Sequence, residues 1–370
     1  MKKFNTLAVF FVLMMMSGPL FPQSLSEIEL PPGFTIEYYT NNVPGARSLA
    51  LDENGTVYVS TRDEGNIYAL PDENQDGEVD SVITLATELS IPNGIDIHEG
   101  DLYVAERRRV LRYPDITERL ETPPDYQVVL RGMPGDSGHG WRYMKIGPDN
   151  RIYIGIGAPC NVCLRSNEMF ATISRAALDG SGFEVFASGI RNTVGFDWHP
   201  ETSELWFTDN GRDHLGDNRP PDELNHAPEG GMFFGFPYIH GRDIQDPEFY
   251  SRRPDDFSYT PPETELGPHV ASLGMRFYTG DMFPSRYENM IFIAEHGSWD
   301  RSTPIGYRIT MVDPSQPADT YSIFAEGWLR ENGNDWGRPV DVLVMPDGAL
   351  LVSDDKAGAV YRISYIGLEE

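Results

Sequence analysis

Apolar and polar residues alternate with a period of two at six places in this chain, each time on both sides of a polar turn. The segments are SLALDENGTVYVSTR (48–62), GIDIHEGDLYVAE (94–106), YMKIGPDNRIYIGIG (143–157), FDWHPETSELWFTDN (196–210), MRFYTGDMFPSRYENMIFIAEHG (275–297) and DVLVMPDGALLVSDD (341–355). Side chains of a strand point alternately to its two faces, so each run reads as a strand. The turns between runs are rich in Asp, Asn, Glu and Gly, which reads as a hairpin. No 3.6-residue apolar stripe persists for four turns, so little helix is expected. Hairpins recurring every several dozen residues predict a radial array of small sheets, an all-β β-propeller. In that fold loops from every blade surround one channel, which lets His139, Arg191 and Arg338 share a site.

Two further stretches bear on the ring. Residues 28–39 read as a strand with a turn at Pro31-Pro32-Gly33, and residues 360–364 are placed to pair with it and close the circle. The stretches 116–138 and 211–268 read as long insertions rich in Pro and aromatics. Loops of that length in a compact domain are commonly functional. Lys2 and Lys3 precede an apolar run at 7–16 and then Ser17-Gly18-Pro19. That run has the form of a secretory signal and is too short for a stable membrane span. The expected organisation is a signal peptide over 1–24 and a single propeller domain over 25–370, in a periplasmic or secreted protein.

Charge narrows the partners. A formal net charge of -28 repels nucleic acid and anionic membranes. The 2 cysteines lie together as Cys160-Asn161-Val162-Cys163. In an oxidising compartment a local disulfide is expected there. One CxxC cannot complete a four-cysteine zinc site, and Leu164 in place of His excludes c-type haem attachment. Gly155-Ile156-Gly157 opens no βαβ unit, which argues against a dinucleotide.

Several segments carry candidate chemistry. His139 sits in the Gly-rich Ser137-Gly138-His139-Gly140-Trp141-Arg142 before a strand, and imidazole is the usual general base near neutral pH. Arg191-Asn192 and Arg338 precede the fourth and sixth hairpins; such fixed donors suit carboxylates and carbonyls of a flat ligand, or equally bridge blades. Asp209 to Asp217 and Asp222-Glu223 offer hard oxygen ligands for calcium, or form a solvated loop. Asp72-Glu73-Asn74-Gln75-Asp76-Gly77 is compatible with a partial calcium loop and with a plain acidic turn.

The order of His139, Gly147-Pro148-Asp149, Gly189-Ile190-Arg191-Asn192, Asp222-Glu223-Leu224-Asn225, Gly235-Phe236-Pro237 and Arg338 before Pro346-Asp347-Gly348 resembles the soluble pyrroloquinoline quinone (PQQ)-dependent sugar dehydrogenases. These form the glucose/sorbosone dehydrogenase family, and the pattern is closer to the sorbosone-type branch. The resemblance spans roughly 30–366. It implies a six-bladed propeller of four-stranded antiparallel sheets, holding PQQ and Ca²⁺ at the channel mouth. By the same resemblance His139 would be the base toward a sugar or alcohol hydroxyl, and Arg191 would stabilise charge on the quinone oxygen. Asn192, Arg338 and Arg301 would bind the cofactor. Calcium would rest on the carbonyls of Gly211 and Arg212 and on Asp222. An external quinone or cytochrome would take the electrons. The chain departs from the glucose enzymes at Gly138, Ala158, Val194 and Val340. A metal-dependent sugar-lactone hydrolase and a non-catalytic binding propeller are the alternatives.

Overall fold

The computed structural model describes residues 25–367 apart from 75, 136 and 137; the expected signal segment lies outside them. Six four-stranded antiparallel sheets stand around an axis as the blades of a propeller. The predicted hairpins are the two inner strands of each blade, Leu49–Leu51 with Val57–Ser60 in the first and Gly94–His98 with Asp101–Ala105 in the second. Met144–Ile146 with Arg151–Ile156, and Phe196–Trp198 with Leu205–Asp209, begin the third and fourth. Ser272–Phe277 with Ile291–Glu295, and Pro339–Val344 with Leu350–Asp354, begin the fifth and sixth. Helix among the described residues is limited to single short 3₁₀ turns.

The period-two pattern acquires a specific meaning here, because both faces of an inner blade are covered by neighbouring blades. Val57 and Val59 pack with Leu343, Leu351 and Val360 of the sixth blade, whereas Tyr58 between them packs with Ile95, Leu102 and Val104 of the second. Each such side chain, once removed from water, contributes roughly 1.5–3 kcal/mol. The large apolar groups therefore form a cluster at each blade boundary and leave the axis to polar groups.

Ring closure follows the expected pairing of the chain's ends. Phe34–Thr40 is the outer strand of the sixth blade and pairs antiparallel with Ala359–Tyr365, with Ile36 opposite Ile363. The strand is shorter than read from sequence: Glu29 makes only an isolated bridge, to Glu326 of the fifth blade. Phe34 is fixed by the rings of Phe283, Tyr287, Phe324 and Tyr365, with centroids 4.7, 5.3, 5.1 and 5.0 Å away. The supposed insertions also prove to be partly regular. Gln127–Arg131 within 116–138 is the outer strand of the second blade. The stretch 211–268 supplies Pro221–Ala227 and Thr264–Pro268 to the fourth blade, and a small hairpin of Ile239–His240 with Ile244–Gln245 between them.

Around the axis a carboxylate relay joins the inner strands. Asp96 accepts the Ile146 N–H at 2.8 Å, Asp197 the Phe277 N–H at 3.1 Å and Asp341 the Leu49 N–H at 3.0 Å. The donors lie in the third, fifth and first blades and the acceptors in the second, fourth and sixth. Lys145 and Arg276 add charge partners at 3.9 Å from Asp96 and 3.5 Å from Asp341.

Candidate active site

A cavity of about 410 Å³ opens where the chain enters the innermost strands. His139, Arg191, Asn192, Gly211, Asp222 and Arg338 all line it, together with Arg47, Arg62, Asp213 and His269. The turns leading into the strands create this convergence: the propeller brings one such turn from each blade to the same end of the axis. A groove of about 460 Å³ between the third and fourth blades has its Arg175 paired with Asp149 and Glu184 and offers no comparable convergence of charge.

His139 is held by both its ring and its main chain. Its Nδ1 lies 2.7 Å from the carbonyl oxygen of Ala158. A carbonyl only accepts, so Nδ1 carries the hydrogen and Nε2 keeps its lone pair. Burial, reinforced by the positive charge of Arg191, lowers the His139 pKa to about 3, so the ring is neutral. Arg142 donates to the His139 carbonyl at 3.0 Å and to that of Pro134 at 2.6 Å, which secures the loop. Neighbouring glycines allow the close approach. A Cβ on Gly157 would stand 2.5 Å from the His139 Cβ and 2.9 Å from Asn192 Oδ1, and one on Gly138 would stand 2.6 Å from the Pro159 oxygen.

Arg191 and Asn192 are oriented by a carboxylate behind them. Asp209 accepts their backbone N–H groups, at 2.8 Å on Oδ2 and 2.6 Å on Oδ1. The guanidinium donates from Nε to Asn161 O at 2.8 Å, from Nη1 to Asn210 O at 3.1 Å, and from Nη2 to Asn161 Oδ1 and Asp213 Oδ2, both at 2.9 Å. An arginine has five N–H bonds. One on Nη1 is thus left for a ligand among the described residues. The Ala158 N–H donates to the Arg191 carbonyl at 2.7 Å, so one backbone unit ties the His139 and Arg191 loops together.

The opposite wall is basic. Arg47 donates from Nη1 to Asp355 Oδ2 at 2.9 Å, and His296 Nε2 meets the other oxygen of Asp355 at 2.9 Å. Burial lowers His296 to about 4. Arg338 donates to the carbonyls of His296 and Gly297 at 3.0 and 2.8 Å and lies 5.2 Å from the Tyr307 ring. Arg62 lies over Trp141 at 5.2 Å. Arg301 is placed elsewhere: it donates to the carbonyls of Thr303 and Asp217 and is not among the residues lining the cavity.

The remaining wall is acidic. Asp222 accepts the N–H groups of Gly211 and Ser272, each at 2.9 Å, and burial raises its pKa to about 6. Arg212 turns its guanidinium away to Asp246, which His240 also meets at 3.0 Å. Asp213, His269 and Asp300 each present a ligand atom within 4.8 Å of the others. His269 Nε2 faces the carbonyls of Gly216 and Arg219 at 3.0 and 3.2 Å. The turn at Asp72 is satisfied internally, Asp72 accepting the N–H groups of Asp76 at 3.1 Å and Gly77 at 2.8 Å. Cys160 and Cys163 are disulfide-bonded.

Arg47, Arg62 and His269 are functional candidates that sequence reading does not single out. Arg47 carried a usable signal, because it precedes its inner strand as Arg142 and Arg338 precede theirs. The family departures acquire a packing reason: Val194 and Val340 are buried in one apolar cluster with Leu273, which itself lines the cavity.

Residues 21–361 match the model of a domain of unknown function, DUF7133. The chain belongs to that family. An uncharacterized protein of Borreliella burgdorferi is 35% identical over 355 residues, covering 92% of this chain and 91% of that protein. The pyrroloquinoline quinone-dependent pyranose dehydrogenase of Coprinopsis cinerea is 22% identical over 417 residues, covering 94% of this chain but 56% of its own length. The holo form of a pyranose dehydrogenase PQQ domain from the same organism superposes with a TM-score of 0.75 at 20% identity, over 91% of this chain and 97% of that one. A calcium structure of a Carbohydrate-Active Enzymes Family AA12 protein from Trichoderma reesei gives 0.75 at 18% identity, over 91% and 97%. The resemblance expected from the motif order is thus to proteins that share this fold.

Proposed function

We propose that this protein is a PQQ- and calcium-dependent oxidoreductase acting on a hydroxyl of a sugar or related alcohol, in a periplasmic or extracellular setting. One observation carries the reading: a chain of formal net charge -28 directs Arg47, Arg62, Arg191 and Arg338 into a single cavity whose carboxylates, among the described residues, are Asp213 and Asp222. Like charges converge in this way where an anion is to be bound, and fork-shaped guanidinium donors fit carboxylates best. PQQ is a flat tricarboxylate, and the cavity offers it Arg47, Arg62, Arg338 and Asn192 for its oxygens, with Trp141 and Trp299 at the rim for its faces. Arg301, outside the lining, is left out of this set.

Bound there, PQQ supplies the two-electron acceptor for substrate oxidation. His139 acts as the base: Nε2, free of a hydrogen, takes the proton of the substrate hydroxyl while Ala158 keeps the other nitrogen donating. Arg191 presents its remaining Nη1–H as a preorganised positive group toward the site. Calcium would rest on buried Asp222 and on the main-chain carbonyls of Gly211 and Arg212, of which Gly211 and Asp222 line the cavity, as hard oxygen donors. Support also comes from the names of the relatives, a PQQ-dependent pyranose dehydrogenase and a calcium-containing structure on the same fold.

The test is titration of the purified chain with PQQ in the presence of Ca²⁺, followed by dye reduction over a panel of sugars. Saturable binding with sugar-dependent reduction is expected, and no binding overturns the proposal. The Asp213–His269–Asp300 cluster favours one second reading, a metal-dependent lactone hydrolase. Lactone hydrolysis that proceeds without PQQ and stops with a chelator would select it.

A further inference from the structure

The cystine loop lies against both groups assigned to the chemistry. Asn161 is one of the two residues enclosed by the Cys160–Cys163 disulfide. Its main-chain oxygen accepts from Arg191 Nε at 2.8 Å, and its side-chain oxygen accepts from Arg191 Nη2 at 2.9 Å. The same side chain clasps Asp213 in both directions, accepting its N–H at 2.8 Å and donating to its carbonyl at 3.2 Å. Asp213 in turn reaches Arg191 Nη2 at 2.9 Å, which closes a three-residue circuit. The segment ahead of the disulfide touches the base. Ala158 accepts from His139, and Pro159 and Cys160 lie against Gly138 so closely that a Cβ there would stand 2.6 Å from Pro159 O and 3.2 Å from Cys160 N.

We infer that Asn161 is a positioning residue for Arg191, and that the disulfide exists to hold Asn161 in place. The physical reason lies in the geometry of the contacts. Both oxygens of one residue must face one guanidinium at the same time, which requires a fixed main-chain and side-chain conformation. A four-residue covalent ring restricts that conformation, whereas an open loop would lose the contacts to chain entropy. The inference rests on the PQQ reading only for the purpose of Arg191; the positioning itself is a property of the free protein.

The test uses the full chain without PQQ. Arginine-directed modification by phenylglyoxal is read peptide by peptide by mass spectrometry, with the axial Arg276 as internal control. Three samples are compared with the oxidised protein: Asn161→Ala, the double Cys160→Ser/Cys163→Ser variant, and wild type treated with dithiothreitol. In the last, two electrons and two protons pass to the cystine as the dithiol closes to its cyclic disulfide. Modification of Arg191 is expected to quicken at least tenfold in all three, with Arg276 unchanged. Asn161→Asp, which keeps the acceptor oxygens, is expected to retain most of the protection. Equal rates at Arg191 with and without the disulfide would overturn the inference, and so would a parallel rise at Arg276, since the loop would then only hold the fold together. A PQQ titration on the same samples separates the two claims. Protein that shows the Arg191 effect yet never binds PQQ keeps this inference and loses the cofactor assignment.

Discussion

The His139 imidazole and the Ala158 carbonyl face each other at 2.7 Å, and this one contact decides which nitrogen of the ring is available. Ala158 contributes through its backbone, while its side chain is buried against Ala171 and Phe236. Replacing His139 by Gln keeps a donor for Ala158 but removes the basic nitrogen. The expected result is a loss of about 10²–10⁴-fold in kcat for sugar-dependent dye reduction, with PQQ affinity nearly unchanged. A variant as active as wild type would remove His139 from the chemistry.

Gly138 marks a position where the glucose enzymes carry an acidic residue, and here the room for one is missing. A Cβ would press on the Pro159 oxygen at 2.6 Å and so displace the segment that holds the imidazole. Gly138→Asp is expected to lower stability by about 1–3 kcal/mol, as overpacking does. It is also expected to lower kcat rather than enhance it. Urea unfolding and steady-state kinetics on one preparation check both.

Arg62 is partly exposed and, among the described residues, has its neighbour Asp63 alone as an ion-pair partner, at 2.9 Å. Its charge is therefore available to an incoming anion at low structural cost. Arg62→Gln is expected to weaken PQQ binding by about 10- to 100-fold, the size of a lost hydrogen bond to a charged group. The salt dependence of binding should flatten, and fluorescence titration at two ionic strengths measures both.

Phe34 joins the outer strand to the aromatic cluster of the fifth blade, so its removal opens a cavity at the closure of the ring. Phe34→Ala is expected to cost about 3–5 kcal/mol. The loss should appear in the denaturation midpoint while the cofactor site, at the inner strands, keeps its affinity.

Two buried histidines should contribute to acid sensitivity. Burial lowers His139 to about 3 and His296 to about 4, each below the ordinary imidazole value of 6.5. Between those values and 6.5 the unfolded chain binds more protons than the folded one, so these groups make stability rise with pH. Their contribution is complete above about 6.5 and falls away on acidification. Buried Asp222, raised to about 6, acts in the opposite sense. The His139→Gln/His296→Gln variant is therefore expected to lose less stability than wild type between pH 6.5 and 4, as read from paired urea unfolding curves.

The hairpins were legible in the chain because every inner strand obeys one period and one turn chemistry. Outer strands such as Gln127–Arg131 and Thr264–Pro268 were not, because they sit behind long connections with no fixed spacing. His139, Arg191 and Arg338 could be named from glycine-flanked turns before strands. Arg62 follows its strand instead, and Asn161 acts through its main-chain and side-chain oxygens together, a role that no residue pattern encodes. Arg301 had a persuasive neighbourhood after His296-Gly297-Ser298-Trp299, yet its guanidinium goes to Asp217 and Thr303 because the loop turns outward.

The relay of Asp96, Asp197 and Asp341 has a numerical consequence. Each acceptor blade serves the next one in the circle, so the unit that repeats is a pair of blades. Three pairs close without a fault. Gain or loss of a single blade would set two acceptor strands, or two donor strands, side by side at the axis, with a carboxylate or a main-chain N–H left unmatched. A chain built on this arithmetic can change size only by even steps: deleting any one blade by design should fail to give a closed ring, whereas excising or duplicating a neighbouring donor and acceptor together keeps the circle in register.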